Sequence, residues 1–262
     1  MFWTDILSNR VYCYDTATQA HRTVYDGNQM VGGFTFQADG SLLLFRETDV
    51  ARLGVDGSVE PLFAFEDEGT FRCNDVIADP EGRVFAGRMS KDARSGGLYR
   101  IDLDGRATNL FRESPTPNGM GFTLDLSGFY YTCSKSKRIF KFDYDCESGE
   151  ISNRRLLYEA TEDEGTPDGM TVDAEGNLWS ARWGGYCIVK HDGRDGSVLD
   201  RLTLPVEKIS SAVFGGPAWD TLYVTTAGGD RESGSADGTL YALQMPVTGK
   251  PEFESRIMLC PD

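Results

Sequence analysis

Histidine is almost missing from this chain: two in 262 residues, His21 and His191, in unrelated contexts. No His-based nucleophilic triad can be assembled from them, and both are expected at the surface. The six cysteines lie far apart with no CxxC pair, so zinc-ligand spacing is absent. They are expected as free thiols packed in strands, which suits a reducing compartment. No apolar run reaches transmembrane length. No secretory leader precedes the first β-rich run, so a cytoplasmic location is expected. No helical period runs longer than a turn or two. No Pro/Ser linker or charge block divides the chain. Positive charge is short as well, with 26 Lys+Arg against 41 Asp+Glu and a net charge of −15. That balance argues against nucleic acid or an anionic membrane as partner and is compatible with cation binding.

What is present is a repeat. Short β-rich runs begin at Met1, Leu42, Val84, Phe129, Leu178 and Leu222, which are 41, 42, 45, 49 and 44 residues apart. That is the period of a propeller blade. A second strand follows each run, such as Gly97-Leu98-Tyr99-Arg100-Ile101 or Cys187-Ile188-Val189-Lys190. A third, outer strand closes each unit, the last of them being residues 253–258. Five units also have an inner strand ahead of the anchor run, as in Met170-Thr171-Val172-Asp173. The first unit has none. The expected fold is one all-β domain over residues 1–262, a six-bladed β-propeller whose first blade lacks its inner strand.

In a propeller the starts of the inner strands gather at one mouth of the central channel. Those positions are Arg72, Asn74 and Asp75, then Asn118, Asp168, and Ser210 with Ser211. Two entry loops are near copies: Glu66-Asp67-Glu68-Gly69-Thr70 and Glu162-Asp163-Glu164-Gly165-Thr166. Asn and Asp oxygens from different blades suit calcium, magnesium or manganese rather than copper. Asn-Gly and Asp-Gly are equally turn dipeptides. On the repeat alone, Asn118-Gly119 and Asp168-Gly169 are therefore either ligand positions or turns.

Several motifs occur together and in order. They are Phe71-Arg72-Cys73-Asn74-Asp75 with Asp79-Pro80-Glu81-Gly82, Pro117-Asn118-Gly119-Met120, Pro167-Asp168-Gly169-Met170, and Phe214-Gly215-Gly216-Pro217 with Leu222-Tyr223-Val224-Thr225. In that order and spacing the chain resembles the SMP-30/gluconolactonase/LRE family, the regucalcins and sugar lactonases, over nearly its whole length. The resemblance implies a propeller with one divalent cation (calcium, magnesium, manganese or zinc) held by Asn118 and Asp168. It implies Asp168 as the base as well. Arg72, Asn74 and Asp92 are implied as contacts to a sugar lactone, and hydrolysis of aldonolactones or related esters is the implied reaction. A monomer or dimer acting on a small molecule is expected. The bland alternatives are an ion pair of Arg72 with Glu66 or Glu68, and a solvated Asp92 in the loop Lys91-Asp92-Ala93-Arg94.

One departure stands out. The family's third protein ligand is a Glu in a Glu-Gly-Pro motif ahead of the stretch that Met1-Phe2-Trp3-Thr4 resembles, and this sequence has no Glu-Gly-Pro. The sequence is therefore expected to be a shortened form of a longer chain. A non-catalytic propeller that binds a metal, a small ligand or a protein is the alternative function. Hydrolysis of another ester or an organophosphate is a third.

Overall fold

The computed structural model describes residues 1–66, 69–90, 96–112, 114–228 and 238–259. The chain falls into two compact units. The first comprises residues 1–117, 146–149 and 252–262, and the second residues 118–145 and 150–251.

The first unit holds three antiparallel sheets in meander order. β1 (Phe2–Asp5), β2 (Arg10–Tyr14) and β3 (His21–Asp26) form a three-stranded sheet. β4 (Val31–Phe36), β5 (Leu42–Arg46), β6 (Asp49–Leu53) and β7 (Val59–Ala64) form a four-stranded one. So do β8 (Thr70–Ala78), β9 (Val84–Ser90), β10 (Gly97–Ile101) and β11 (Ala107–Arg112). The second unit repeats the plan. Its sheets are β12 (Pro117–Phe122, whose Pro117 belongs to the first unit) through β13 (Gly128–Cys133), β14 (Arg138–Tyr144) and β15 (Ile151–Glu159). Next come β16 (Thr166–Val172), β17 (Leu178–Trp183), β18 (Cys187–His191) and β19 (Val198–Thr203). Last are β20 (Ile209–Gly215), β21 (Thr221–Thr226) and β22 (Tyr241–Gln244). Six meander sheets in succession are the strand plan of the six-bladed β-propeller, and the first sheet has three strands, as the repeat anticipates.

The periodicity of the sequence explains the layering. In five of the six sheets the anchor run is the second strand, while in the first it is β1; β5 and β13 are buried throughout. A continuous apolar run of that length is what a strand covered on both sides needs. The outer strands β15 and β19 are largely exposed and carry the charge. Hairpins such as Glu175-Gly176 close as expected, with Gly176 at φ 86.

Two expectations fail. Residues 253–258 are not the outer strand of the sixth sheet, which ends at β22. Their backbone bonds to turns in the first unit instead. Ser255 N–H donates to Phe36 O at 2.7 Å, Arg256 N–H to Gly82 O at 2.8 Å, and Met258 N–H to Leu103 O at 2.7 Å. The buried Gln37 side chain acts as a strand would. Its Nε2 donates to Ile257 O at 3.0 Å and its Oε1 accepts from Ile257 N at 2.9 Å. Phe253, Ser255 and Ile257 point inward while Glu254, Arg256 and Met258 are exposed. The alternation was strand-like, but alternation does not name the partner. His191 is the second failure. It is fully buried, whereas His21 is exposed as expected. Its Nδ1–H donates to Gly196 O at 3.0 Å, and Nε2 accepts from Arg182 Nη2 at 2.7 Å. Burial, and then the charge of Arg182, push its pKa down to about 4.

Candidate functional site

The local device that shapes the strand starts is a β-bulge. In β8, Cys73 pairs with Arg88 and Val76 with Ala86, so Asn74 and Asp75 occupy a stretch with one residue more than its partner. In β16, Pro167 pairs with Arg182 and Met170 with Ser180, leaving Asp168 and Gly169 in the matching bulge. β20 shifts register at Ser210, between Ile209 and Ser211. Bulges of this kind re-aim a side chain and are frequent beside functional sites.

Close approach of backbones supplies the second constraint. A Cβ on Gly119 would lie 2.7 Å from Asp168 O and 2.5 Å from Met170 N. A Cβ on Gly169 would lie 2.4 Å from Ser211 Oγ and 2.8 Å from Ser210 O. Neither glycine has a positive φ, and both lie inside strands. The turn alternative for these two dipeptides is thereby excluded. The glycines are there because no side chain fits between neighbouring strands, and that brings Asn118 and Asp168 onto adjacent backbones of the second unit.

Asn118 is buried. Its Nδ2 donates to Ser134 Oγ at 3.0 Å, and Ser134 Oγ donates to Pro167 O at 2.6 Å. The relay ties Asn118 to the residue before Asp168. With Nδ2 committed, Oδ1 is the Asn118 atom available to a ligand. Asp168 is half-buried. An amide oxygen and a carboxylate on adjacent strands fit a hard divalent cation as two oxygen donors, with water completing the shell. No group of three or more His, Cys, Asp and Glu stands together among the described residues.

In the first unit, Arg72 and Asn74 are brought together. Arg72 Nη1 donates to Asn74 Oδ1 at 2.7 Å and to Cys73 O at 2.9 Å. Asn74 Nδ2 donates to Pro117 O at 2.7 Å. Both amide ends of Asn74 are thus fixed and its orientation is set. Asp75, half-buried in the same bulge, accepts from Val76 N at 2.8 Å. Burial, with a smaller push from Glu252, raises its pKa to about 7 despite that bond. Asp92 lies outside the described residues.

A cavity of about 540 Å³ opens at the outer strands of the second unit, lined by Tyr158, Glu164, Cys187 and Arg201 among others. None of the candidates lines it. Its half-buried carboxylate is already engaged: Glu164 accepts from Tyr158 Oη at 2.8 and 2.7 Å, from Thr161 N at 2.9 Å, and from Arg201. Burial opposes ionisation of Glu164, yet these donors hold its pKa down to about 2. The group closes a capping box on the short 3₁₀ turn Glu162–Glu164 that leads into β16.

The sequence did not reveal Ser134 or the bulges. It did carry an unread signal in the arginine four residues after the start of an anchor run, at Arg46, Arg88 and Arg182. All three are buried: Arg46 Nη1 donates to the Tyr25 hydroxyl at 3.4 Å, and the guanidinium groups of Arg88 and Arg182 lie over the rings of Phe65 and Tyr158.

Fold and strand starts define a six-bladed β-propeller with hard oxygen donors at bulged inner strands. Comparison with known proteins agrees over almost the whole chain. The model of the SMP-30/gluconolactonase/LRE-like region matches residues 1–228. The chain belongs to that family. It is 44% identical over 268 aligned positions to pentonolactonase XacC of Haloferax volcanii, covering 99% of this chain and 91% of the relative. It is 34% identical to regucalcin of Xenopus laevis, covering 87% and 79% respectively. Among solved structures, luciferin-regenerating enzyme superposes with a TM-score of 0.89 at 28% identity, covering 98% of this chain and 91% of that one. A calcium-binding regucalcin from Agrobacterium tumefaciens superposes with a TM-score of 0.90 at 24% identity, covering 98% and 89%.

Proposed function

We propose that the protein is a divalent-metal-dependent hydrolase of sugar lactones. The observation that carries the proposal is the pairing of Asn118 with the bulged Asp168 on neighbouring strands, in a family whose relatives include a pentonolactonase. Asn118 Oδ1 and the Asp168 carboxylate are the proposed cation ligands. A bound divalent cation supplies polarisation of the lactone carbonyl and charge for the developing oxyanion. The second carboxylate oxygen of Asp168 would take a proton from the attacking water. Arg72 and Asn74 are proposed contacts to substrate hydroxyls or carbonyl, preorganised by their mutual hydrogen bond, and Asp92 is proposed as a further contact. The calcium named for the Agrobacterium relative makes calcium the first cation to test. The unpaired thiols of Cys73, Cys133 and Cys187 fit a reducing, cytoplasmic setting. Among the described residues no helix is long and apolar enough to cross a membrane.

A second reading, a metal- or ligand-binding propeller without turnover, draws on the single formal charge of the Asn118–Asp168 donor pair. The two readings part on variants. Asp168→Ala removes the charged member of the proposed donor pair and the base, so metal-dependent lactone hydrolysis should vanish. Asn118→Ala removes one neutral oxygen and should weaken cation binding less. Calorimetric titration with calcium and a pH-indicator lactonase assay measure both. Unchanged affinity and turnover in Asp168→Ala rule the assignment out. Calcium binding by the unaltered protein with no turnover of any aldonolactone favours the second reading.

A further inference from the structure

We infer that Trp183 and Lys208 form a sugar-facing contact that makes the site select polyhydroxylated lactones over bare ones. The inference rests on the lactonase reading above and assigns to two residues a role that neither the motifs nor the fold identified.

The alternation of β17 places Trp179, Ala181 and Trp183 on one face. Trp179 and Ala181 are buried in a core with Ile209, Ala212 and Phe214. Trp183 continues that face beyond the core, where β20 has only begun, and stays 41% exposed. It is held there by backbone pairing on both sides, opposite Thr166 of β16 and in a bridge with Lys208. Gly184 N–H donates to Glu207 O at 3.0 Å and fixes the following turn.

These partners locate the indole. Thr166 is two residues before Asp168 on the same strand. Lys208 is two residues before Ser210, whose carbonyl approaches Gly169. Trp183, Lys208 and Asp168 therefore occupy one corner of the second unit, at the end where β16 and β20 both start. Lys208 is half-buried, and its Nζ lies 5.6 Å from the centre of the Trp183 ring. It forms no ion pair among the described residues, in a chain of net charge −15. A half-buried ammonium with no carboxylate partner among the described residues has three donors to offer a ligand. An exposed indole offers its electron-rich surface to the polarised C–H bonds of a sugar ring. Together they complement a polyhydroxylated ring: C–H bonds on the indole, hydroxyl oxygens on the ammonium. An unsubstituted lactone has neither the hydroxyls nor the same polarised face.

The test compares Trp183→Ala, Trp183→Phe and Lys208→Met with the unaltered protein on an aldonolactone and on an unsubstituted lactone of equal ring size. Loss of one ring contact should raise KM for the aldonolactone roughly three- to tenfold in Trp183→Ala, with kcat within about twofold. The preference for the aldonolactone in kcat/KM should narrow by the same factor, and Trp183→Phe should recover most of it. Lys208→Met should narrow it too. An unchanged KM in Trp183→Ala, or an equal loss on both substrates, overturns the inference while leaving the lactonase reading intact. If the unaltered protein hydrolyses no lactone, the lactonase reading fails and the inference is judged on binding alone. Tryptophan fluorescence is then titrated with an aldonate. Quenching that disappears in Trp183→Phe supports the contact, and its absence in the unaltered protein overturns it.

Discussion

At Gly119 a single methyl group decides whether two strands can approach. An alanine Cβ there meets backbone atoms of Asp168 and Met170, which cannot swing aside as a side-chain tip would. Gly119→Ala should cost roughly 1–3 kcal/mol in chemical denaturation through overpacking and should also displace Asp168. Gly40→Ala is the contrast. Gly40 has φ 82 and nothing within 4 Å of a Cβ, so only about 1 kcal/mol of backbone strain is expected there. Equal, small losses at both positions would show that the close approach is not limiting. His191 gives a pH signature at the same scale. Its folded pKa is depressed from 6.5 to about 4, so the stability it contributes is complete above the unfolded value and disappears as pH falls through that interval. The contribution is on the order of 3 kcal/mol. Asp75 acts in the opposite direction, since a carboxyl raised to about 7 lowers stability as pH rises from about 4. The two slopes overlap and partly cancel, so the unaltered profile alone hides both. His191→Gln keeps an acceptor for Arg182 but does not titrate, and its melting temperature should fall less between pH 7 and pH 4. Parallel profiles for the two proteins would contradict this assignment.

At the scale of strands and turns, the sequence was most legible where burial is two-sided. β5 and β13 announce themselves because residues 42–45 and 129–131 are apolar or aromatic on both faces. The bulges left no such mark. Asn-Gly and Asp-Gly serve turns and strand contacts alike, and only the neighbouring strand shows which. Residues 253–258 were misassigned for a related reason: the in-out alternation was right, but alternation fixes a face and not a partner. Gln37 is the residue to probe there. Gln37→Leu removes two hydrogen bonds and leaves the backbone N–H and C=O of the fully buried Ile257 unpaired. A loss of roughly 2–4 kcal/mol follows in equilibrium unfolding. A variant as stable as the parent would mean that the segment is held by Ile257 packing alone.

For the whole molecule, the repeat of anchor runs was enough to count six sheets, because each blade is a meander and each meander needs one strand covered on both faces. The candidate ligands were legible only through the family motifs. Asn118 and Asp168 lie about 50 residues apart, and no local pattern says that a missing Cβ on Gly119 joins their strands. This joined pair is proposed to hold a hard cation needed for lactone hydrolysis. That role is tested most directly by following aldonolactone hydrolysis by the unaltered protein with a pH indicator. The assay is run before chelation, after chelation and dialysis, and after calcium or manganese is returned. Turnover should fall to the spontaneous rate on chelation and recover with the added cation. Turnover unaffected by chelation, or absent under every condition, would contradict it.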